Sequence, residues 1–175
     1  MKIKIIGWTV AAVLLAVTGY QLLQRQAGDG GADAAGRARP AFSLPDLEGR
    51  MHSISEWDGK VLLVNFWATW CPPCRQEIPD FIDVRRRFLD QGFEIVGVAI
   101  DSPDSVRDYV DVLEIDYPVL HGQAEASAIA RQYGNHSNAL PYSALIDRQG
   151  RIRFSGAGRI PRQSLEQAVA QLLAE

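Results

Sequence analysis

The chain has 175 residues, 47% of them hydrophobic, with 18 Lys and Arg against 21 Asp and Glu for a formal net charge of −3. That length suits one ordinary globular domain plus an appendage, and with no basic segment a nucleic-acid partner is not expected. The densest basic run, Arg85-Arg86-Arg87, falls within an amphipathic pattern whose apolar face is Ile78, Phe81, Ile82, Phe88 and Leu89. It reads as the solvated face of a helix.

The appendage is the N-terminus. Lys2 and Lys4 precede an uncharged stretch, residues 5–24, IIGWTVAAVLLAVTGYQLLQ, long enough to cross a hydrocarbon core at roughly 1.5 Å per residue. Positive charge on its short N-terminal side predicts that this end stays in the cytoplasm and the body lies outside. A cleaved signal peptide is the rival reading, with Val17-Thr18-Gly19 as a small-residue cleavage site. The anchor is preferred because the apolar run exceeds the usual signal-peptide core of about 7 to 15 residues. No cysteine stands at its end, so a lipoprotein is excluded. Residues 25–40, RQAGDGGADAAGRARP, offer almost nothing to bury and read as a flexible tether.

The domain is expected from residue 41. FSLPDLEGRMHSISEW reads as two short strands around a turn at Glu48-Gly49, closed by a second turn at Asp58-Gly59. VLLVNFW, residues 61–67, is a continuous apolar run of the kind a doubly covered central strand needs. A helix is predicted from about Cys71 to Gln91, stopped by Gly92. FEIVGVAI then gives a second buried strand, and after Asp101-Ser102-Pro103 comes a helix with Val106, Tyr109, Val110 and Leu113 on one face. Strand, helix, strand in that order implies a parallel pair with a crossover. Residues 124–133 read as a short helix, GNHSNALP as a loop, YSALID and RIRFSG as a hairpin turning at Arg148-Gln149-Gly150, and residues 161–174 as a closing helix. This order predicts an α/β thioredoxin fold, a central mixed sheet flanked by helices, with an added N-terminal β-hairpin and a helical insert, preceded by one transmembrane helix.

The two cysteines, Cys71 and Cys74, lie three positions apart at the start of the first long helix. There the first sulfur meets unpaired N–H groups and the positive end of the helix dipole, which favour a thiolate. The second sulfur falls within the first turn, in reach of a mixed disulfide. A structural zinc site needs about four ligands; the chain has no second Cys pair, and His52, His121 and His136 are scattered. Inert core cysteines are the blander alternative, but Pro72, Pro73 and the preceding Trp70 fit an exposed turn better. Dithiol exchange is the preferred reading. Cys71 lacks the preceding Pro and the spaced Thr with which a peroxiredoxin binds peroxide, and SGAGRIP has Pro161 where a dinucleotide loop has its third glycine.

VLLVNFWATWCPPC followed by EIPDF resembles the thioredoxin-like TlpA and ResA group of membrane-tethered extracytoplasmic thiol-disulfide oxidoreductases, which includes the cytochrome c maturation reductases. The resemblance extends over most of residues 42–175. It implies Cys71 as the attacking thiol, Cys74 as the resolving one, Trp70 packed beside them, Pro79 as a helix-kinking proline, and Pro141 as a cis-proline facing the disulfide. Sequence alone favours trans at Leu140-Pro141, since only about 5 to 6% of X-Pro bonds are cis. In the cis form the Leu140 backbone is free to pair with an extended client. Glu77 is by position an acidic residue suited to an early helical turn; the resemblance implies a buried acid that moves protons. Cytosolic thioredoxins carry a buried Asp where this chain has Asn65, so Glu77 is expected to take over that task. The resemblance further implies no cofactor beyond the Cys71–Cys74 disulfide, exported clients, a membrane electron donor of the DsbD/CcdA type, a monomer, and a place in the bacterial inner membrane with the catalytic domain in the periplasm.

Direction of electron flow turns on the Cys71 thiolate. Pro72 and Pro73 have no N–H, so two donors near that sulfur are missing, and neither Pro nor the neutral loop supplies a cation, which points to a reductase. The alternative of another class is a copper chaperone on the same fold, although such proteins space their cysteines one residue further apart and add a distant His, for which only His136 is a candidate.

Overall fold

The computed structural model describes residues 36–175. The segment read as a membrane anchor, residues 5–24, lies outside them; among the described residues no helix is long and apolar enough to cross a membrane.

Strand β3 (Val61–Trp67) is buried at every residue. Val61, Leu63 and Trp67 enter one core and Leu62, Val64 and Phe66 the other, as the period of two in a strand requires. Asn65 is its one polar residue. It is the centre of a five-stranded sheet of order β5-β4-β3-β6-β7. Strand β4 (Phe93–Ile100) runs parallel to β3 and β5 (Val119–Gly122) parallel to β4. Strand β6 (Tyr142–Ile146) is antiparallel to β3, and β7 (Ile152–Ala157) to β6.

Helices cover both faces. The first core takes Ile78, Phe81, Ile82, Val84 and Phe88 from α1 (Pro72–Phe88), Val106 from α2 (Pro103–Leu113), and Leu165, Val169 and Leu172 from α4 (Arg162–Leu173). The second takes Ala126, Ile129 and Ala130 from α3 (Ala124–Gln132), with Phe42, Leu44 and Ile54 from the N-terminal region. That region is the expected hairpin, β1 (Ser43–Pro45) and β2 (Met51–Ser53), followed by a short 3₁₀ turn. A β-bridge between Asp46 and Leu120 joins it to β5. After α1 the chain turns at Gly92, whose φ of +94° a side chain would disfavour, and enters β4 beside β3. The arginine run follows the expected face only in part: Arg86 and Arg87 are exposed, whereas Arg85 is half-buried against the carboxylate of Glu94, a buried residue.

Two expectations need correction. The insert between β4 and β6 is not only helical, because β5 extends the sheet. Its four residues follow Pro118 and carry too short an apolar run to stand out as a strand. The tether also ends earlier than residue 40. The Gly36 amide donates to the Ile152 carbonyl at 2.6 Å, the Ile152 amide to Arg37 at 2.9 Å and the Arg39 amide to Gly150 at 2.8 Å. Backbone pairing needs no apolar side chain, so a Gly- and Arg-rich segment can still pair with the start of β7.

Candidate active site

Cys71 and Cys74 form a disulfide at the start of α1. Cys71 is the N-cap in an extended conformation, and its Sγ accepts the Cys74 amide at 3.3 Å. Pro72 and Pro73 fill the first two helical positions, where a missing N–H costs the helix nothing. The expectation of an exposed attacking sulfur is corrected: Cys71 is 4% exposed and Cys74 0%. Trp70, the residue before the pair, is 65% exposed. The turn before the disulfide is held from β4. Asp101, the residue after that strand, accepts the Thr69 amide at 3.1 Å and the Thr69 hydroxyl at 2.6 Å. Sequence reasoning missed this role, having treated Asp101 only as part of a helix start.

Leu140-Pro141 is a cis peptide bond, as the resemblance implies. The Pro141 carbonyl accepts the amide of Gly158 at 2.8 Å, and Gly158 has a φ of +94°. The preceding loop is tied by Asn135, whose Nδ2 donates to the Ala139 carbonyl and whose Oδ1 accepts the Ala139 amide, at 2.9 and 3.0 Å. Leu140 is half-buried and packs against both cores.

Behind the disulfide lies a buried polar set. Glu77, one helical turn past Cys74, is fully buried, so it is not a solvated helix-start residue. Its Oε1 accepts the Asn65 Nδ2 at 2.9 Å, its Oε2 the Ile160 amide at 3.4 Å, and the same Asn65 Nδ2 donates to Ser143 Oγ at 2.9 Å. Burial pushes the Glu77 carboxyl up to about 7, against the opposing pull of the Asn65 and Ile160 donors and of the Arg159 charge. Arg159 is fastened to Gln76 Oε1 at 3.3 Å and stands 3.6 Å from Asp80. Pro79 sits within α1 on its exposed side. Ser143, Ile160 and Arg159 were not picked out from the sequence, because they lie on segments far from the cysteines.

A reversible disulfide with a buried acid poised near neutrality is equipped for thiol exchange coupled to proton transfer. His136 lies exposed in the loop before Pro141. Among the described residues no three His, Cys, Asp or Glu side chains converge as a metal ion needs.

Comparison with known proteins agrees with this chemistry. The AhpC/TSA family matches residues 35–155. The chain is 30% identical to the thiol-disulfide oxidoreductase ResA of Geobacillus thermodenitrificans over 159 residues, covering 90% of this chain and 89% of that protein. It is also 30% identical to the thioredoxin-like protein YneN of Bacillus subtilis, over 89% of this chain and 90% of the relative. Among solved structures, a putative thiol:disulfide interchange protein DsbE from Chlorobium tepidum superposes with a TM-score of 0.72 at 29% identity, covering 79% of this chain and 97% of the other. A putative thioredoxin from Neisseria meningitidis gives 0.68 at 32% identity, covering 81% and 92%. The chain belongs to the thioredoxin-like AhpC/TSA family and, like its ResA relative, is a thiol-disulfide oxidoreductase built on a Cys71–Cys74 pair.

Proposed function

We propose that the protein is a reductase of disulfides in exported proteins, tethered by residues 5–24 to the bacterial inner membrane with its redox domain in the periplasm. The observation that carries the direction is the poverty of donors at Cys71: one backbone amide, that of Cys74, reaches the sulfur, because Pro72 and Pro73 have none to offer. A poorly stabilised thiolate leaves the reduced form less favoured and the couple more reducing. The scale is large. Thioredoxin at about −270 mV and a strong periplasmic oxidant at about −120 mV differ by roughly 7 kcal/mol for two electrons.

In the forward reaction the Cys71 thiolate attacks one sulfur of a client disulfide, forming a mixed disulfide and releasing the other client sulfur as thiolate. Cys74, deprotonated by Glu77, then attacks the Cys71 sulfur. The second client thiolate leaves, the Cys71–Cys74 disulfide closes, and two electrons have passed to the client. An extended client segment pairs with the Leu140 backbone beside Pro141, with Trp70, Pro72 and Pro73 at its edge. Clients of the expected kind are apocytochromes c or copper-site proteins, and the disulfide is re-reduced by a membrane donor of the DsbD/CcdA type.

The full chain with Cys74→Ser tests this. Expressed in a bacterium, it should accumulate mixed disulfides with exported proteins in the membrane fraction, and a reporter active only outside the cytoplasm, fused after Glu175, should be active there. Capture of cytoplasmic proteins, or an inactive reporter, would overturn the proposed location.

A further inference from the structure

The two ends of the Asn65 side-chain amide make opposite demands on Glu77. The NH2 end can only donate and suits an ionised carboxylate; the oxygen can only accept and suits a protonated one. Asn65 presents its nitrogen, and both N–H groups are used, one by Glu77 and one by Ser143. Its Oδ1 is buried without a hydrogen-bond partner among the described residues. Asn65 and Ser143 are directly opposed in the β3–β6 register, and both are fully buried.

We infer that Ser143 is a positioning residue for Glu77: its hydroxyl, by accepting the second N–H of Asn65, holds the nitrogen end of that amide against the carboxylate. The inference rests on the reading of Glu77 as the proton carrier. Without the Ser143 oxygen, an amide facing Glu77 through nitrogen leaves a buried N–H unpaired. Rotation gives no relief, since it would set both N–H groups where Oδ1 now lies without a partner; the Asn65–Glu77 contact loosens instead, and the charged form of Glu77 loses support. The other groups that face Glu77 act apart from this contact. Arg159 favours the charged form and Asp80 opposes it, the Ile160 amide holds the second carboxylate oxygen, and the buried Tyr117 feels the Glu77 charge.

The carboxyl band of Glu77 can be followed by infrared spectroscopy in the oxidised full chain in detergent micelles, assigned by its disappearance in Glu77→Gln. Ser143→Ala should raise its titration midpoint by about half a pH unit, and Ser143→Thr, which keeps the hydroxyl, should bring it back. A midpoint that stays or falls in Ser143→Ala, or one that Thr does not restore, overturns the assignment. The rate of reduction of a small aromatic disulfide by the reduced chain, measured against pH, separates this from the role of Glu77. A midpoint that moves while the rate profile of Glu77→Gln matches wild type supports the positioning by Ser143 and contradicts proton transfer by Glu77.

Discussion

Glu77 and Asp46 are both buried carboxylates, yet their surroundings drive them in opposite directions. Burial opposes ionisation in each. At Asp46 it is overridden by the amides of Arg50 and Glu48, the Arg50 guanidinium and His52, all within 3.0 Å, which hold the carboxyl well below the usual carboxylate range. Glu77 accepts hydrogen bonds only from the neutral Asn65 amide and, at longer range, the Ile160 amide, and the Arg159 charge reaches it without a hydrogen bond, so burial prevails and its carboxyl lies near neutrality. A buried acid is thus made structural by charged and numerous donors, and available for chemistry by few and neutral ones.

The sharpest way to break this contrast is at the redox end. Cys74→Ser should trap clients through Cys71, whereas Cys71→Ser should abolish both turnover and trapping. Equal trapping by the two variants would refute the division of labour between the sulfurs.

Next in size is the linkage of Glu77 to stability. Its folded value is raised from 4.5 to about 7, so its contribution is fully present below about 4.5 and is lost as pH rises through 7, an effect on the order of 3 kcal/mol. Denaturant unfolding of the oxidised protein should therefore show wild type weakening relative to Glu77→Gln across that window. Parallel curves would show that burial does not govern this carboxyl.

The smallest effect belongs to the hairpin. His52 lies between Glu56 Oε2 at 2.8 Å and Asp46 Oδ2 at 3.0 Å, and hydrogen bonds to these carboxylates, that to Glu56 foremost, raise its pKa from 6.5. Stability from this contact is complete below about 6.5 and fades as pH climbs through the raised value. Amide exchange in β1 and β2 should quicken over that range by less than about tenfold, as for other partly exposed ion pairs, and His52→Gln should flatten the dependence. The exchange chemistry of the cysteines should not change.

The same comparison explains what could be read from the chain. The hairpin is local, its turn and strands following from Glu48-Gly49 and the flanking apolar residues, although its contacts among Asp46, Arg50, His52 and Glu56, four to six positions apart, were not picked out. Strand β3, helix α1 and its cysteines were equally legible, since VLLVNFW and the CPPC helix start carry strong local patterns. The environment of Glu77 was not. Asn65 is 12 positions away from it, Ile160 is 83 away, and Ser143 is 78 from Asn65. No local pattern announces contacts that only the β3–β6 register and the turn before α4 create. Strand β5 was missed for a related reason: it is a strand because β4 offers it a parallel edge, as Val119 pairs with Gly97, not because VLHG favours one.

The claim that most needs testing is that missing donors at Cys71 make the protein a reductase. The potential of the Cys71–Cys74 couple, equilibrated against glutathione, should lie nearer the thioredoxin value of about −270 mV than the oxidant value of about −120 mV. Pro73→His, which adds an N–H and a group that can be cationic, should make it more oxidising by a few tens of millivolts, about 30 mV for each tenfold change in equilibrium constant. Pro73→Ala, adding the N–H alone, should fall between them. A wild-type potential near the oxidant, or one that stays put or moves more negative in Pro73→His, would contradict the account.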